Sequence, residues 1–379
     1  MSNTTGPGGG SAPTATLENS VILTGDTVRI LDRRVFPARI EWVTAHTAEE
    51  VADAIRAMVT QSSGPLYATC AGMALTAQQS RDQTLPDARA RLAAAGAAIA
   101  SARPTNRHPQ DAVAAIIDAT SAATTTAEFV ERATDAARIF ADDYRDAGVR
   151  LGRAAISLLP QRATILTHCW GEAYLFGLVT AAREAGTALT WVATETRPYL
   201  QGARLTAHSL RELGYDVTLI TDGMAAAALA SPTGAGTGPI DAAITAADRV
   251  AMDGSVINKV GTLAIAAAAS TFDIPYIALV EAPDAEAPTG ADVVIEERDP
   301  RDVLEVLGHR TASELVTDAW YPAFDITPPR LVTSIATSRG PFSPDRLAEY
   351  FTTRADRFAS PVTATTADTL VPAGTDATA

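Results

Sequence analysis

The apolar positions of this chain change period partway along it, and the change divides the fold. Between about residues 47 and 147 they recur at helical spacing. Thr47 and Glu50 have the spacing of a capping box, and Val51, Ala54, Ile55, Met58 and Val59 then fall on one helical face. Alanine-rich amphipathic stretches at about 86–101, 109–120 and 126–147 predict three more helices. Ahead of them, 28–31 and 39–42 read as a short β-ribbon. From about residue 162 the pattern becomes short, continuous apolar runs at 164–167, 189–192, 217–220, 242–245 and 276–280. Helical segments lie between them, such as Thr206 to Leu213 with Gly214 as its stop. Continuous apolar strands alternating with helices are what a parallel sheet covered on both faces requires. The expected fold class is therefore α/β, with a doubly wound, Rossmann-like parallel-sheet domain at 151–357 behind a smaller, mainly helical domain at 19–150 that carries the ribbon. Residues 1–18 and 358–379, rich in Ala, Thr, Gly, Pro and Ser, read as disordered tails.

Composition narrows the function classes. The chain has 379 residues, 47% hydrophobic and 20% charged, enough to build a sizeable core. Its net charge of −14 excludes nucleic-acid binding through a broad basic face. A phosphorylated small molecule survives that test, because a pocket needs only a few local donors. No apolar run approaches the roughly 18 to 20 residues that span a bilayer, and the N-terminal stretch is not a secretory signal, so no membrane partner and a cytoplasmic location are expected. In a reducing compartment Cys70 and Cys169 are free thiols, each either a small core residue or a reactive group. The histidines are scattered and no Cys/His spacing fits zinc, so no metal is expected. The dinucleotide fingerprint, the phosphate loop and the serine-hydrolase elbow are also missing, so no cofactor is expected.

In a doubly wound sheet the ligand lies past the carboxyl ends of the strands. Three such ends carry reactive side chains. The first run leads into Thr167-His168-Cys169-Trp170-Gly171-Glu172, placing Cys169 where a helix begins and its partial positive charge favours a thiolate. The second leads into Glu195-Thr196-Arg197 and on to Gln201, which serves either a ligand or a salt bridge at a capped helix. The fourth ends near Asp248, with Asn258-Lys259 opening the helix that follows. A carboxylate in a buried crevice either pairs with a cation or does proton work. Lys259 is the only lysine beside 29 arginines. An ammonium enters a narrow pocket that a planar guanidinium does not, so its retention is either functional or a survivor of compositional drift.

Five segments in order resemble the methylthioribose-1-phosphate isomerase family: Thr-His-Cys at 167–169, Glu-Thr-Arg-Pro through Gln-Gly-Ala-Arg-Leu-Thr-Ala at 195–207, Ala-Asp-Arg at 247–249, Asn-Lys-x-Gly-Thr at 258–262 and Ile-Glu-Glu-Arg-Asp-Pro at 295–300. The likeness runs from about 27 to 345. That family shares a superfamily with ribose-1,5-bisphosphate isomerase and with the regulatory alpha, beta and delta subunits of a translation-initiation exchange factor. The resemblance implies an aldose-to-ketose isomerisation of a 5-substituted ribose 1-phosphate. It implies Asp248 as the ring-opening acid, Cys169 as the second catalytic group, and Arg103, Gln201, Asn258 and Lys259 as substrate-binding. Glu195, Arg197, Trp170, Ser63 and Gly64 are further pocket candidates. It also implies a homodimer. The chain departs from the family in two places: a phosphate-binding Arg-Gly-Ala-Pro turn is replaced by Gln61-Ser62-Ser63-Gly64-Pro65, and Trp170 follows the cysteine in place of asparagine. A ribose-1,5-bisphosphate isomerase and a non-catalytic sensor or assembly protein of the same fold are the alternatives.

Overall fold

A computed structural model describes residues 14–103 and 107–353. The expected tails lie outside those residues except for 14–18, which are packed in place. Ala15 and Leu17 are buried, and the Thr16 hydroxyl donates to the Glu212 carboxylate at 2.6 Å. The ribbon is a three-stranded antiparallel sheet of β1 (Val21–Thr24), β2 (Thr27–Leu31) and β3 (Trp42–Ala45). Its last strand begins at Trp42 and not at Arg39, because the Arg39 N–H closes a turn on the Val35 carbonyl and cannot join the ladder.

Five helices follow: α1 (Ala48–Arg56), α2 (Gly64–Gln78), α3 (Leu85–Ala100), α4 (Arg107–Ala119) and α5 (Thr126–Ile156). The Thr47 hydroxyl caps α1 by accepting from the Glu50 N–H at 3.2 Å. The Glu50 carboxylate reaches one residue further back than a capping box requires, to the His46 N–H at 2.6 Å. Helix α2 went unanticipated because it has no polar face: Leu66, Met73 and Leu75 are fully buried along with nearly all of their neighbours, so the usual periodicity is absent. Helix α5, 31 residues long, carries through the point near residue 150 where the hydrophobic pattern changes.

All five apolar runs become strands of one sheet. In chain order the elements are β4 (Arg162–Thr167), α6 (Ala173–Ala185), β5 (Ala188–Thr194), α7 (Ala207–Glu212), β6 (Val217–Ile220), α8 (Ala225–Ala230), β7 (Ala242–Ala246), β8 (Arg249–Val250), β9 (Val256–Lys259), α9 (Thr262–Thr271), β10 (Tyr276–Leu279), β11 (Glu305–Val306), β12 (His309–Arg310), β13 (Phe324–Thr327), β14 (Ser334–Thr337) and β15 (Gly340–Phe342). The seven-stranded sheet has the order β15-β14-β10-β7-β4-β5-β6 and is parallel except at its β15 edge. The chain runs outward from β4 to β6, returns to the other side of β4 and continues through β7, β10 and β14. The order reverses between β4 and β7, which opens a crevice at their carboxyl ends.

Two features position that crevice. Helix α5 lies against α6 with backbones nearly touching, and a Cβ on Gly177 would come 2.1 Å from the Gly148 carbonyl oxygen. Asn258-Lys259, expected to open a helix, instead end β9, which pairs antiparallel to β13 with Lys259 opposite Phe324. Its apolar, β-branched Val256-Ile257 start suits a strand, and the helix waits until Thr262, past Gly261 at φ 109°. Among the described residues no helix is long and apolar enough to cross a membrane.

Candidate functional site

The first strand tip at the reversal is held by His168. This ring is buried; its Nε2–H donates to the Val260 carbonyl at 3.0 Å, and its Nδ1 accepts from the Thr194 hydroxyl at 2.6 Å. Burial pushes its pKa down, so a neutral imidazole links the end of β4 to the loop after β9. Gly261 lies under the ring, where a Cβ would come within 2.9 Å of it. The strut sets the distance between the cysteine that follows His168 and the lysine that precedes Val260.

Cys169 has φ 69°, the left-handed region that a residue with a side chain adopts only under constraint. Its N–H donates to the Thr196 hydroxyl oxygen at 2.9 Å, its carbonyl accepts from the Thr206 hydroxyl, and its Sγ accepts from Gln201 Nε2 at 3.3 Å. Thr196, Leu200 and Glu172 also have positive φ, so backbone strain gathers around this thiol. Gln201 Oε1 is buried and has no partner among the described residues, leaving an acceptor for a ligand hydroxyl. The expectation of a helix-stabilised thiolate is corrected. Helix α6 begins at Ala173, and burial pushes the Cys169 thiol up, with the Lys259 ammonium opposing it.

Asp248 follows β7, its N–H donating to the Ile257 carbonyl at 3.0 Å. The side chain is open to water yet enclosed by protein, as at the floor of a cleft. Burial pushes its carboxyl up, opposed by Lys259, Arg103 and Arg298 in that order. Lys259 is buried, with Nζ 4.7 Å from the Phe324 ring and 6.0 Å from that of Tyr321. Burial pushes its ammonium down, and Cys169 and Asp248 hold it up. The thiol, the acid and the amine thus lie within one another's fields on the two sides of the reversal, with Gln201 and Arg103 beside them.

Other expected site residues are engaged elsewhere. Asn258 donates its amide to Thr262 Oγ1 at 2.9 Å, and as a strand neighbour of Lys259 it faces the other way. Arg197 ties down the helical turn before β11 and the start of that strand through the carbonyls of Val303 at 3.1 Å and Glu305 at 3.0 Å. Glu195 has its carboxyl pushed up by burial and by Asp222. Trp170 is buried edge-on to Phe176. Ser63 and Gly64 start α2, where the Gly64 N–H donates to Glu172 at 2.9 Å and the Arg33 guanidinium grips the same carboxylate with both terminal nitrogens. Sequence reasoning missed three residues at the cleft: Glu296, Arg298 and Tyr321. The first two sit inside the Ile295–Pro300 segment already noted as a motif, which was the available signal.

Residues 62–344 match the Initiation factor 2 subunit family. The chain is 40% identical over 329 residues to a protein named methylthioribose-1-phosphate isomerase from Anaeromyxobacter sp. (strain K), covering 83% of this chain and 90% of that one. Among solved structures it is similar to the 5-methylthioribose 1-phosphate isomerase of Pyrococcus horikoshii OT3, at 30% identity and a TM-score of 0.79, over 88% of this chain and 95% of that one. It is also similar to the delta subunit of the translation initiation factor eIF-2B from A. fulgidus, at 30% identity and a TM-score of 0.76, over 86% of this chain and 96% of that one.

Proposed function

This chain belongs to the initiation factor 2 subunit family, and on that footing we propose that it is an aldose-ketose isomerase converting 5-methylthioribose 1-phosphate to 5-methylthioribulose 1-phosphate. Fold alone does not separate an enzyme from a regulatory subunit, since the two solved structures match almost equally well. One observation carries the choice: a carboxyl with a raised pKa, a thiol and a buried ammonium share the crevice at the strand reversal.

The phosphate on O1 prevents the sugar from opening to a free aldehyde, so the ring oxygen needs a proton as its bond to C1 breaks. Asp248, whose carboxyl is shifted up by desolvation, is the donor. One hydrogen then passes from C2 to C1, and the hydroxyl proton lost as the C2 carbonyl forms balances the one delivered to the ring oxygen. Cys169 serves the transfer at C2, with Gln201 holding its sulfur and offering Oε1 to a sugar hydroxyl. Lys259 stabilises the negative charge that grows on oxygen. Hydrogen moves within one molecule with no net redox change, so the chemistry asks for no cofactor. We extend the proposal to a cytoplasmic homodimer, supported by the resemblance to the isomerase family.

The test is to incubate the protein with methylthioribose 1-phosphate and, separately, ribose 1,5-bisphosphate while following the anomeric proton by NMR. Loss of that signal with the methylthio sugar is expected. Saturable binding with no turnover of either sugar would replace the enzyme with a sensor.

A further inference from the structure

A phosphate monoester is a dianion at neutral pH, and taking it out of water requires fixed cations. The start of α2 offers no room for it. The Gly64 N–H already donates to Glu172 at 2.9 Å, Arg33 is committed to that carboxylate, and even a Cβ on Gly64 would overlap Thr60 Oγ1 and crowd the Arg33 guanidinium. Three other cations, Lys259, Arg103 and Arg298, act on the Asp248 carboxyl.

Arg298 is the least expected of them, and its backbone is built into the site. Its N–H donates to the Tyr321 carbonyl at 2.9 Å, Glu297 bridges to Pro322, and the Ala323 N–H donates to the Glu296 carbonyl at 2.8 Å. The segment 321–323 runs straight into β13, whose Phe324 pairs with Lys259. A short, continuous ladder therefore fixes Arg298 relative to the lysine. Glu296 meets the guanidinium only at Nε, at 3.2 Å, and Arg298 is half-buried. Arg103, Lys259 and Arg298 all act on the Asp248 carboxyl, with Glu296 as the one further acid among its influences. Three cations against the carboxylates of Asp248 and Glu296 leave positive charge in excess there, which suits a phosphate dianion.

We infer that Arg298 is the residue that grips the substrate's phosphate, in place of the turn at the start of α2. This rests on the sugar-phosphate reading above. Arg298→Gln and Arg298→Lys, made in the full chain, separate the possibilities when KM and kcat for methylthioribose 1-phosphate are measured beside the dissociation constant for inorganic phosphate by calorimetry. Arg298→Gln is expected to raise KM and the phosphate dissociation constant by at least about tenfold with kcat changed by less than about threefold, and Arg298→Lys to fall between it and the parent. Unchanged KM and phosphate affinity in a variant that melts like the parent overturn the assignment. A parent protein that binds phosphate through Arg298 but turns over no sugar would sink the isomerase alone. One that neither binds phosphate nor turns over the sugar sinks both. If Arg298→Gln does not fold, Arg298→Lys carries the comparison, because it preserves the charge and removes only the planar fork.

Discussion

In the proposed reaction Asp248 gives up a proton, and desolvation by the protein around it shifts its carboxyl in the direction that favours holding one. Asp248→Asn keeps the shape and removes the acid, so kcat should fall by about a hundredfold or more while calorimetric affinity for the sugar phosphate stays within a few-fold. Undiminished turnover would take the role from this residue. The pH dependence follows with a definite sign. In the proposed reaction the protonated form is active and the pKa is raised, so kcat should be full on the acid side and decline as pH rises through that pKa; a kcat that falls nowhere above the ordinary carboxylate range would count against it. Lys259 was legible as the one lysine of the chain. Its Nζ is buried 4.7 Å from the Phe324 ring, where an arginine would put a planar fork in place of a compact charge. Lys259→Arg should lower kcat/KM by about tenfold or more, and a fully active variant would return the residue to compositional accident. Asn258 was read together with it, but strand alternation sends adjacent side chains to opposite faces and leaves Asn258 bonded to Thr262.

Helices and strands were legible to the extent that each carried its own period. The amphipathic α1, α3, α4 and α5 and the strands β4, β5, β6, β7 and β10 all have one, and their positions agree with it except that α1 ends at Arg56, short of Met58 and Val59, and α5 runs past 147 to Ile156. Helix α2 has none, because it is buried all round, and β14, bounded by Ser334 and Thr337, and the three-residue β15 carry no continuous apolar run. The start of α2 is also where two distant segments meet. Arg33 and Glu172, 139 positions apart, form a buried ion pair that clamps the Gly64 N–H, joining the ribbon, α2 and the β4 tip. Glu172→Gln retains an acceptor for that N–H but strands a buried guanidinium. It should cost on the order of 3 to 5 kcal/mol in denaturant unfolding. Replacing both residues by leucine should recover most of that loss, since no charge is then left unpaired, and a double variant no more stable than the single one would show that the pair does more than neutralise itself.

At the scale of the whole molecule, the helical part and the sheet both contribute to one cleft, with Arg103 coming from the end of α3 and Cys169, Asp248 and Lys259 from the sheet side. A ligand that spans them should stabilise the fold. Sugar phosphate at about a hundred times its dissociation constant is expected to add about 2.7 kcal/mol, read as a melting temperature raised by several degrees, and Arg103→Gln should shrink that rise at equal ligand concentration. An equal rise in both proteins would place Arg103 outside the binding site. The sequence by itself determined the class of the fold and which polar groups follow its strand ends. A continuous apolar run reports its own burial, and the residue just past such a run has to lie at the carboxyl edge of a parallel sheet. Only the tertiary structure decided how those edges are fitted together. Cys169 is strained and held as a thiol, Lys259 lies on a strand against β13, Glu172 occupies the start of α2, and Arg298 and Tyr321 join the cleft through a ladder more than 35 residues beyond the lysine. Local periodicity records how a segment faces the interior, whereas the identity of its neighbour depends on how chain segments far apart in sequence close on one another.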